Sequence, residues 1–574
     1  MSTQPKTTDE EDVEFQQRFI EQAEYLDPEN FLELNAEHPD QEVILGKLKA
    51  GGAKLLVGPR GCGKTTLMLR AYRELLSSES SSLPIYVNFK LSLKLEPMYI
   101  NSPNASFWFR TWLGLRVVEG MWNAILESES LRPTDGLPAK GQIADAISSI
   151  EGGGDLPQAM LEKYSLSSVV QYIEEYLSET SLKRCVLLLD DAAHAFSPKQ
   201  QEDFFDFFRE IKSRRIAPKA AIYPGITTSS ATFHVGHDAE KINVWVKPSG
   251  DVYEKFMLEL GEKRFGGQFP NVIRESPGVA EFLAYSSFGI PRSYLNMLRA
   301  IVEEKDRYTS RDGTLDRRKV FELSRASREM SHNVYDSLSM KLPSYANYIQ
   351  SGANIYQKIV AEIKEFNRGK DNKSHAVEIG LKKPLSSEIE RIVGFLQYSG
   401  LLMPSGENSR GVKGTFEIYS VHFGDLITQN AVVGARTKTI PPFLEAFRSK
   451  PHQAWPRLSS ATLMQLGTLG EHAFDLTLPH CQNCGAERIS EHARFCHNCG
   501  AQLKSSSLFE ELVSQDISAL PISATLVKRI KEGSKIKKVR DILTDADKTN
   551  LRSVKMIGPI RAQRIAHWAE EHVA

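Results

Sequence analysis

At 574 residues the chain is too long for one cooperative core, and roughly three to five domains are expected. Hydrophobic residues make up 41% and charged residues 25%, which excludes a fibrous protein, a mostly disordered chain and a disulfide-dense secreted module. No run approaches the ~20 apolar residues of a bilayer span, and the start, MSTQPKTTDEEDVEF, lacks the basic and apolar stretches of an export signal, so a cytoplasmic protein is expected. The formal charge of -1 hides an asymmetry: residues 1–50 hold four basic and thirteen acidic side chains, residues 528–574 twelve basic and six acidic. The basic C-terminal end is the part suited to phosphates.

An acidic tail (1–30) comes first, with a helical stretch expected over Val13–Tyr25. Lys54–Val57 then reads as a strand and Thr66–Tyr72 as a helix. Between them stands Gly58-Pro59-Arg60-Gly61-Cys62-Gly63-Lys64-Thr65, a match to G-x-x-x-x-G-K-[ST]. Its glycines let successive backbone N–H groups turn inward around a β-phosphate, and the helix start adds its positive dipole end. Lys64 can reach β- and γ-phosphate oxygens, and the Thr65 hydroxyl can sit on magnesium. With Thr66, these residues form the expected ATP site.

A serine-rich break, Ser77–Ser82, precedes an extended run, Ile85–Phe89, and the Gly- and Pro-rich stretch Pro133–Pro157 reads as an exposed insertion with room for a helix. Cys185–Leu189 is an apolar run suited to a strand buried on both faces. It ends in Asp190, placed to hold magnesium through its water shell, and Asp191, placed to polarise the attacking water. Further strands are expected at Ala220–Tyr223 and Ile242–Val246, with helices between most of them. The class is therefore α/β, a parallel sheet with helices on both faces. Cys62 and Cys185 stand alone and read as small buried thiols. His194, and His234 and His237 before Asp238, are expected to bridge loops near the nucleotide rather than bind a second metal.

On the two acidic and phosphate-loop motifs, the chain resembles the AAA ATPases of the origin-recognition and replication-initiator branch. The resemblance spans about residues 30–430 and is firm across 54–230. It implies ATP hydrolysis, a P-loop core over 31–250, and a helical lid and helical region over 251–370. It also implies a γ-phosphate sensor at Thr227 or Thr228, where relatives often carry Asn, and a second sensor at Arg292 in Gly289-Ile290-Pro291-Arg292, which opens a helix. An Arg there opposes the helix dipole, so a partner is expected for it. Relatives commonly have Glu at the place of Asp191, which suits slow hydrolysis or another path to the water. An adenine pocket is implied near Arg18, Phe31 and Asn35–Asp40. A homo-oligomer is implied too, with Arg209, Arg214 or Arg215 reaching a neighbour's site.

Leu385–Gly400 reads as a helix with Ile389, Ile392, Val393 and Leu396 on one face, followed by a Gly- and Ser-rich turn and a strand, Thr415–Tyr419. Helix plus hairpin resembles the closing half of a winged helix (371–435), with Arg410 and Lys413 on the wing for phosphates. A linker (436–475) leads to Cys481-x-x-Cys484-Gly485 and Cys496-x-x-Cys499-Gly500. Four thiolates make a closed tetrahedral site, so a structural zinc ribbon is expected over 476–504. Ser553–Ile565 resembles a helix–hairpin–helix (510–574), in which Gly558 lets backbone amides approach a DNA phosphate, Lys555, Arg561 and Arg564 add charge, and Met556 replaces a usual glycine. An upstream helical pair resembles the small domain closing the α subunit of bacterial RNA polymerase. The expectation is an ATPase with ATP, magnesium and zinc, coupling nucleotide state to DNA or partner binding. The alternative is a slow, oligomerising ATP switch in signalling or anti-phage defence, whose C-terminal modules dock an effector protein. No membrane partner is expected.

Overall fold

Lys54–Val57 (β1), Ser82–Asn88 (β2), Arg184–Asp190 (β3), Ile216–Ile222 (β4) and Glu240–Asn243 (β5) form one parallel sheet in the computed structural model, in the order β2-β3-β4-β1-β5. The structure describes residues 20–573 apart from 21, 78–79, 91, 103, 155, 192–196, 228, 231, 267–272, 274–275, 311–313, 435–438, 449–453, 468–472, 477–479, 482, 490–492, 494, 502 and 504–507. Parallel neighbours need crossovers, and helices supply them: Lys64–Leu76 (α1), Ala105–Glu127 (α2), Lys140–Glu151 (α3), Leu166–Glu179 (α4) and Pro198–Ile211 (α5). Cys185–Asp190 are all buried, as an apolar strand covered on both faces requires.

Three expectations shift. Of the expected N-terminal helix, residues 13–19 lie outside the described residues, and its end is a single short helical turn, Ala23–Tyr25. Strand β4 begins at Ile216, through Pro218 and Lys219, which argue against a central strand in sequence. Lys219 is nevertheless buried, its Nζ donating to the carbonyls of Ala50, at 2.8 Å, and Gly52. Strand β5 stops at Asn243 because its partner β1 turns into the phosphate loop after Val57. The insertion holds α3, as its length allowed.

Helices Gly250–Phe265 (α6), Val279–Ser286 (α7), Pro291–Glu303 (α8), Arg317–Lys341 (α9) and Ala346–Asn367 (α10) form the lid region. Beyond it Ser387–Tyr398 (α11) buries Ile389, Ile392, Val393 and Leu396, as read. A second sheet, in the order β7-β8-β6-β9, combines the hairpin Leu402–Ser409 (β7) and Thr415–Val421 (β8) with Glu378–Lys382 (β6) and Arg457–Leu458 (β9). This winged-helix-like unit draws β9 from the stretch read as linker, which also holds Pro441–Phe447 and Ser460–Gly467 as helices. Buried Asp425 ties unit to lid: it accepts from Arg328 and His332 of α9, the latter at 3.0 Å, and from Tyr356 of α10 at 2.8 Å. Leu508–Ser514 (α12), Ala524–Gly533 (α13), Val539–Leu543 (α14), Thr549–Arg552 (α15) and Pro559–Val573 (α16) complete the chain. Among the described residues no helix is long and apolar enough to cross a membrane.

A close backbone contact holds the winged-helix-like unit against the parallel sheet. Gly225, at φ +70° after β4, meets Gly394 of α11 so closely that a Cβ on Gly394 would stand 2.4 Å from the Gly225 Cα. Backbone cannot yield as a side chain tip can. Gly394→Ala is therefore expected to destabilise the protein by about 1–3 kcal/mol, read as a lower denaturant midpoint; an unchanged midpoint would mean that the two backbones are not in contact.

Candidate functional site

The phosphate loop leaves β1 with Gly61 at φ +81° and Gly63 at +100°, a region side chains rarely enter. Helix α1 opens at Lys64, which leaves the N–H groups of its first turn without partners inside the helix. A Cβ on Gly61 would also stand 3.0 Å from that of Arg292, so the loop and the start of α8 touch. Lys64 is buried. Its Nζ donates to the carbonyls of Gly58 at 2.8 Å and Pro59 at 3.0 Å, and lies 3.8 Å over the Tyr223 ring. Burial lowers its pKa, against Cys62, Asp191 and Asp190, which raise it.

Asp190, fully buried at the end of β3, accepts from Tyr86 Oη at 2.9 Å and from the Asp191 N–H at 3.0 Å, and the neighbouring Thr65 hydroxyl favours its charged form. Burial first, then Asp191 and Glu24, push its carboxyl up to about 7. Crowded acids of this kind favour a cation among them. Asp191 holds φ +50°, uncommon outside glycine, and its Oδ1 accepts from Tyr223 Oη at 2.7 Å.

Gly61, Gly63, Lys64, Thr65, Thr66, Asp191 and Arg292 line one cavity of about 750 Å³, counted to its open mouth, together with Glu24, Arg60, Lys90, Tyr223 and Glu571. A neighbouring recess of about 440 Å³ shares Asn35, Gly63 and Thr66 with it and adds His38, Leu67 and Phe256. Asn35 and His38 belong to the stretch expected near adenine. Phe31 instead joins a small core with Ala23, Leu26 and Leu69, and Arg18 lies outside the described residues.

Thr227 turns back on its own loop, its Oγ1 accepting from the Tyr223 N–H at 3.0 Å, and Tyr223 is the β4-end residue on the cavity. Thr228 and His194 lie outside the described residues. His234 and His237 sit in an exposed turn and are not among the residues lining the cavity, so the expected bridging near nucleotide is not seen. Arg215 is held by Glu174 at 3.2 Å and by the Leu182 carbonyl at 2.9 Å, while Arg209 and Arg214 are exposed. The partner expected for Arg292 is Glu571, at 2.8 Å, on the distant helix α16. Sequence reading missed Glu24, Lys90, Tyr223 and Glu571. Tyr223 alone had a local signal, its place at the end of a sheet strand.

The four cysteines lie together, with their sulfurs within 4.8 Å of one another. The two knuckles repeat each other: Cys481 N–H donates to Ala486 and Cys496 N–H to Ala501, and Gly485 and Gly500 hold φ +71° and +70°. The Asn483 amide points at Cys499 and the Asn498 amide at Cys484, both at 3.7 Å. The Ala501 amide first, then Asn483, lower the Cys499 thiol to about 6. Four sulfurs this close can coordinate a metal ion.

No protein-family model matches the sequence, and no curated protein does. Among solved structures the chain is similar to the Aeropyrum pernix ORC1 protein in complex with DNA, at 17% identity over 74% of this chain and 97% of that one, with a TM-score of 0.29. It is similar to a Walker-type ATPase of Pyrococcus abyssi at 12% identity, over 68% and 94%, with a TM-score of 0.35. Cdc6p of Pyrobaculum aerophilum shows 13% identity, over 73% and 94%, at a TM-score of 0.27. Matches at this level assign neither ligand nor partner to the chain.

Proposed function

We propose that the chain is an ATPase of AAA type that works as a homo-oligomer and couples nucleotide state to DNA or a protein partner. In this reading 31–250 is the ATPase core and 251–370 the lid. The output modules are the winged-helix-like unit at 371–435, a zinc ribbon at 476–504 and the terminal helices at 510–574. One observation carries it: a glycine-rich loop, Lys64, Thr65 and the acidic strand end Asp190-Asp191 converge at the end of a parallel sheet.

Thr65 and Asp190 would hold magnesium, since a hydroxyl and a carboxylate are the oxygen donors this hard ion takes, and the crowding of acids favours it. Once bound, the ion would neutralise charge on the β- and γ-phosphates. Lys64 would exchange the Gly58 and Pro59 carbonyls for phosphate oxygens, and the loop amides would hold the β-phosphate. Asp191, held by Tyr223, would orient water, while Arg292 responds to the γ-phosphate and Thr227 would reach it only by leaving its own loop. The recess beside Phe256 would take the base. Asp191 is one methylene shorter than the usual Glu and is tied to Tyr223, which favours a slow switch over a fast motor.

Lys64→Ala is expected to weaken binding of magnesium–ATP roughly 10- to 100-fold. Asp191→Asn should keep ATP bound but slow phosphate release about 100-fold. Turnover that survives Lys64→Ala unchanged would remove the ATPase reading. The cysteine cluster should retain about one zinc per purified chain, lost in Cys484→Ser, by metal analysis. At the C-terminal hairpin, Lys555, Gly558 and Arg561 are exposed. Affinity for duplex DNA should fall steeply between 50 and 200 mM salt and weaken with Lys555→Glu; salt-independent binding would point to a protein partner instead.

A further inference from the structure

Helix α16 ends inside the nucleotide cavity. The Glu571 carboxylate pairs with Arg292 Nη1 at 2.8 Å, and the Glu571 carbonyl accepts from Arg60 Nη2 at 3.1 Å. That carbonyl lies in the last turn of a fifteen-residue helix, where carbonyls lack partners within the helix and the dipole is negative. Carboxylate and helix end thus present negative charge to two arginines, one from the phosphate loop and one from the lid. Burial would raise the Glu571 carboxyl, but Arg292, Arg60 and Lys90 outweigh it and hold it at about 2. It is an anion at any ordinary pH.

Neighbouring contacts aim the same helix. The His567 ring stacks on Tyr25 with 3.4 Å between centroids, and the Tyr25 hydroxyl donates to Glu570. Lys90, 3.4 Å from that hydroxyl, also pairs with Glu24 at 3.2 Å. Beyond the cavity His572 meets Gln515 at 2.9 Å, within the C-terminal domain itself. The groups that bring α16 to the cavity are largely polar and charged, which an incoming anion can exchange for its own contacts.

We propose that Glu571 is an intrachain occupant of the γ-phosphate position, so that a nucleoside triphosphate displaces α16 from Arg292 and Arg60 whereas a diphosphate leaves it in place. This rests on the reading of the cavity as a nucleotide site. Competition between two ligands for one pair of cations is reciprocal: docking of α16 weakens triphosphate binding by the factor by which triphosphate weakens docking. The nucleotide then sets whether the basic C-terminal domain is held or free.

The full-length, metal-loaded chain is titrated by calorimetry with magnesium and either ADP or a non-hydrolysable ATP analogue, as wild type and as Glu571→Gln. The variant is expected to bind the triphosphate analogue about tenfold more tightly and ADP with unchanged affinity. In wild type, the analogue but not ADP should raise amide hydrogen exchange across Pro559–Val573, a readout that needs no variant. Equal triphosphate affinities with ADP still bound, or exchange in α16 unchanged or slowed by the analogue, overturns the competition and leaves the nucleotide site standing. Failure of wild type and variant to bind either nucleotide overturns the site, and this proposal with it.

Discussion

Charge within the cavity can persist only where an opposite charge lies in reach, and that balance organises much of the molecule. Asp191, Glu24 and Glu571 share the cavity with Lys64, Lys90, Arg60 and Arg292. Removing one member of a buried pair typically costs about 3–5 kcal/mol, because the survivor stays desolvated and alone. Any anion entering such a cavity would have to take over cations already engaged, and the displaced acids would need new surroundings. The pairings of Lys64 with its own loop carbonyls and of Arg292 with Glu571 are two such engagements.

The same logic links the modules. Asp425 has no exposure, yet hydrogen bonds from His332 and Arg328 hold its carboxyl at about 2 against the burial that would raise it. Its partners come from α9 and α10, so lid and winged-helix-like unit share one buried ionic hub. His422, itself buried, is lowered to about 4 and is neutral beside it. The lid is therefore joined to the unit beyond it by groups that are expensive to separate.

What sequence disclosed was local. The phosphate loop needs glycines, lysine and threonine in a fixed order between strand and helix, and β3 needs an uninterrupted apolar run, so both stand out. The winged-helix-like hairpin and the cysteine knuckles are local in the same sense. Strand β4 hid its first half behind Pro218 and Lys219, residues tolerated because Lys219 caps carbonyls of a neighbouring loop. Strand β6 carries a glycine at Gly380, where Trp455 packs so tightly that no Cβ would fit. Glu571 was illegible for a different reason: a lone acid near the end of a helix has no pattern, and its partners lie hundreds of residues earlier. A partner was expected for Arg292, and only the fold could say which.

The meeting of Gly225 and Gly394 has a mechanical meaning. Two backbones in contact offer no side chain to slide or re-seat, so that seam is a weld and not a bearing. Tyr223 and Tyr398 flank it with ring centroids 5.6 Å apart, and Lys247 and Glu378 bridge core and β6 at 2.9 Å. The sheet and the winged-helix-like unit must therefore move together, and any swing in the molecule has to leave that seam intact.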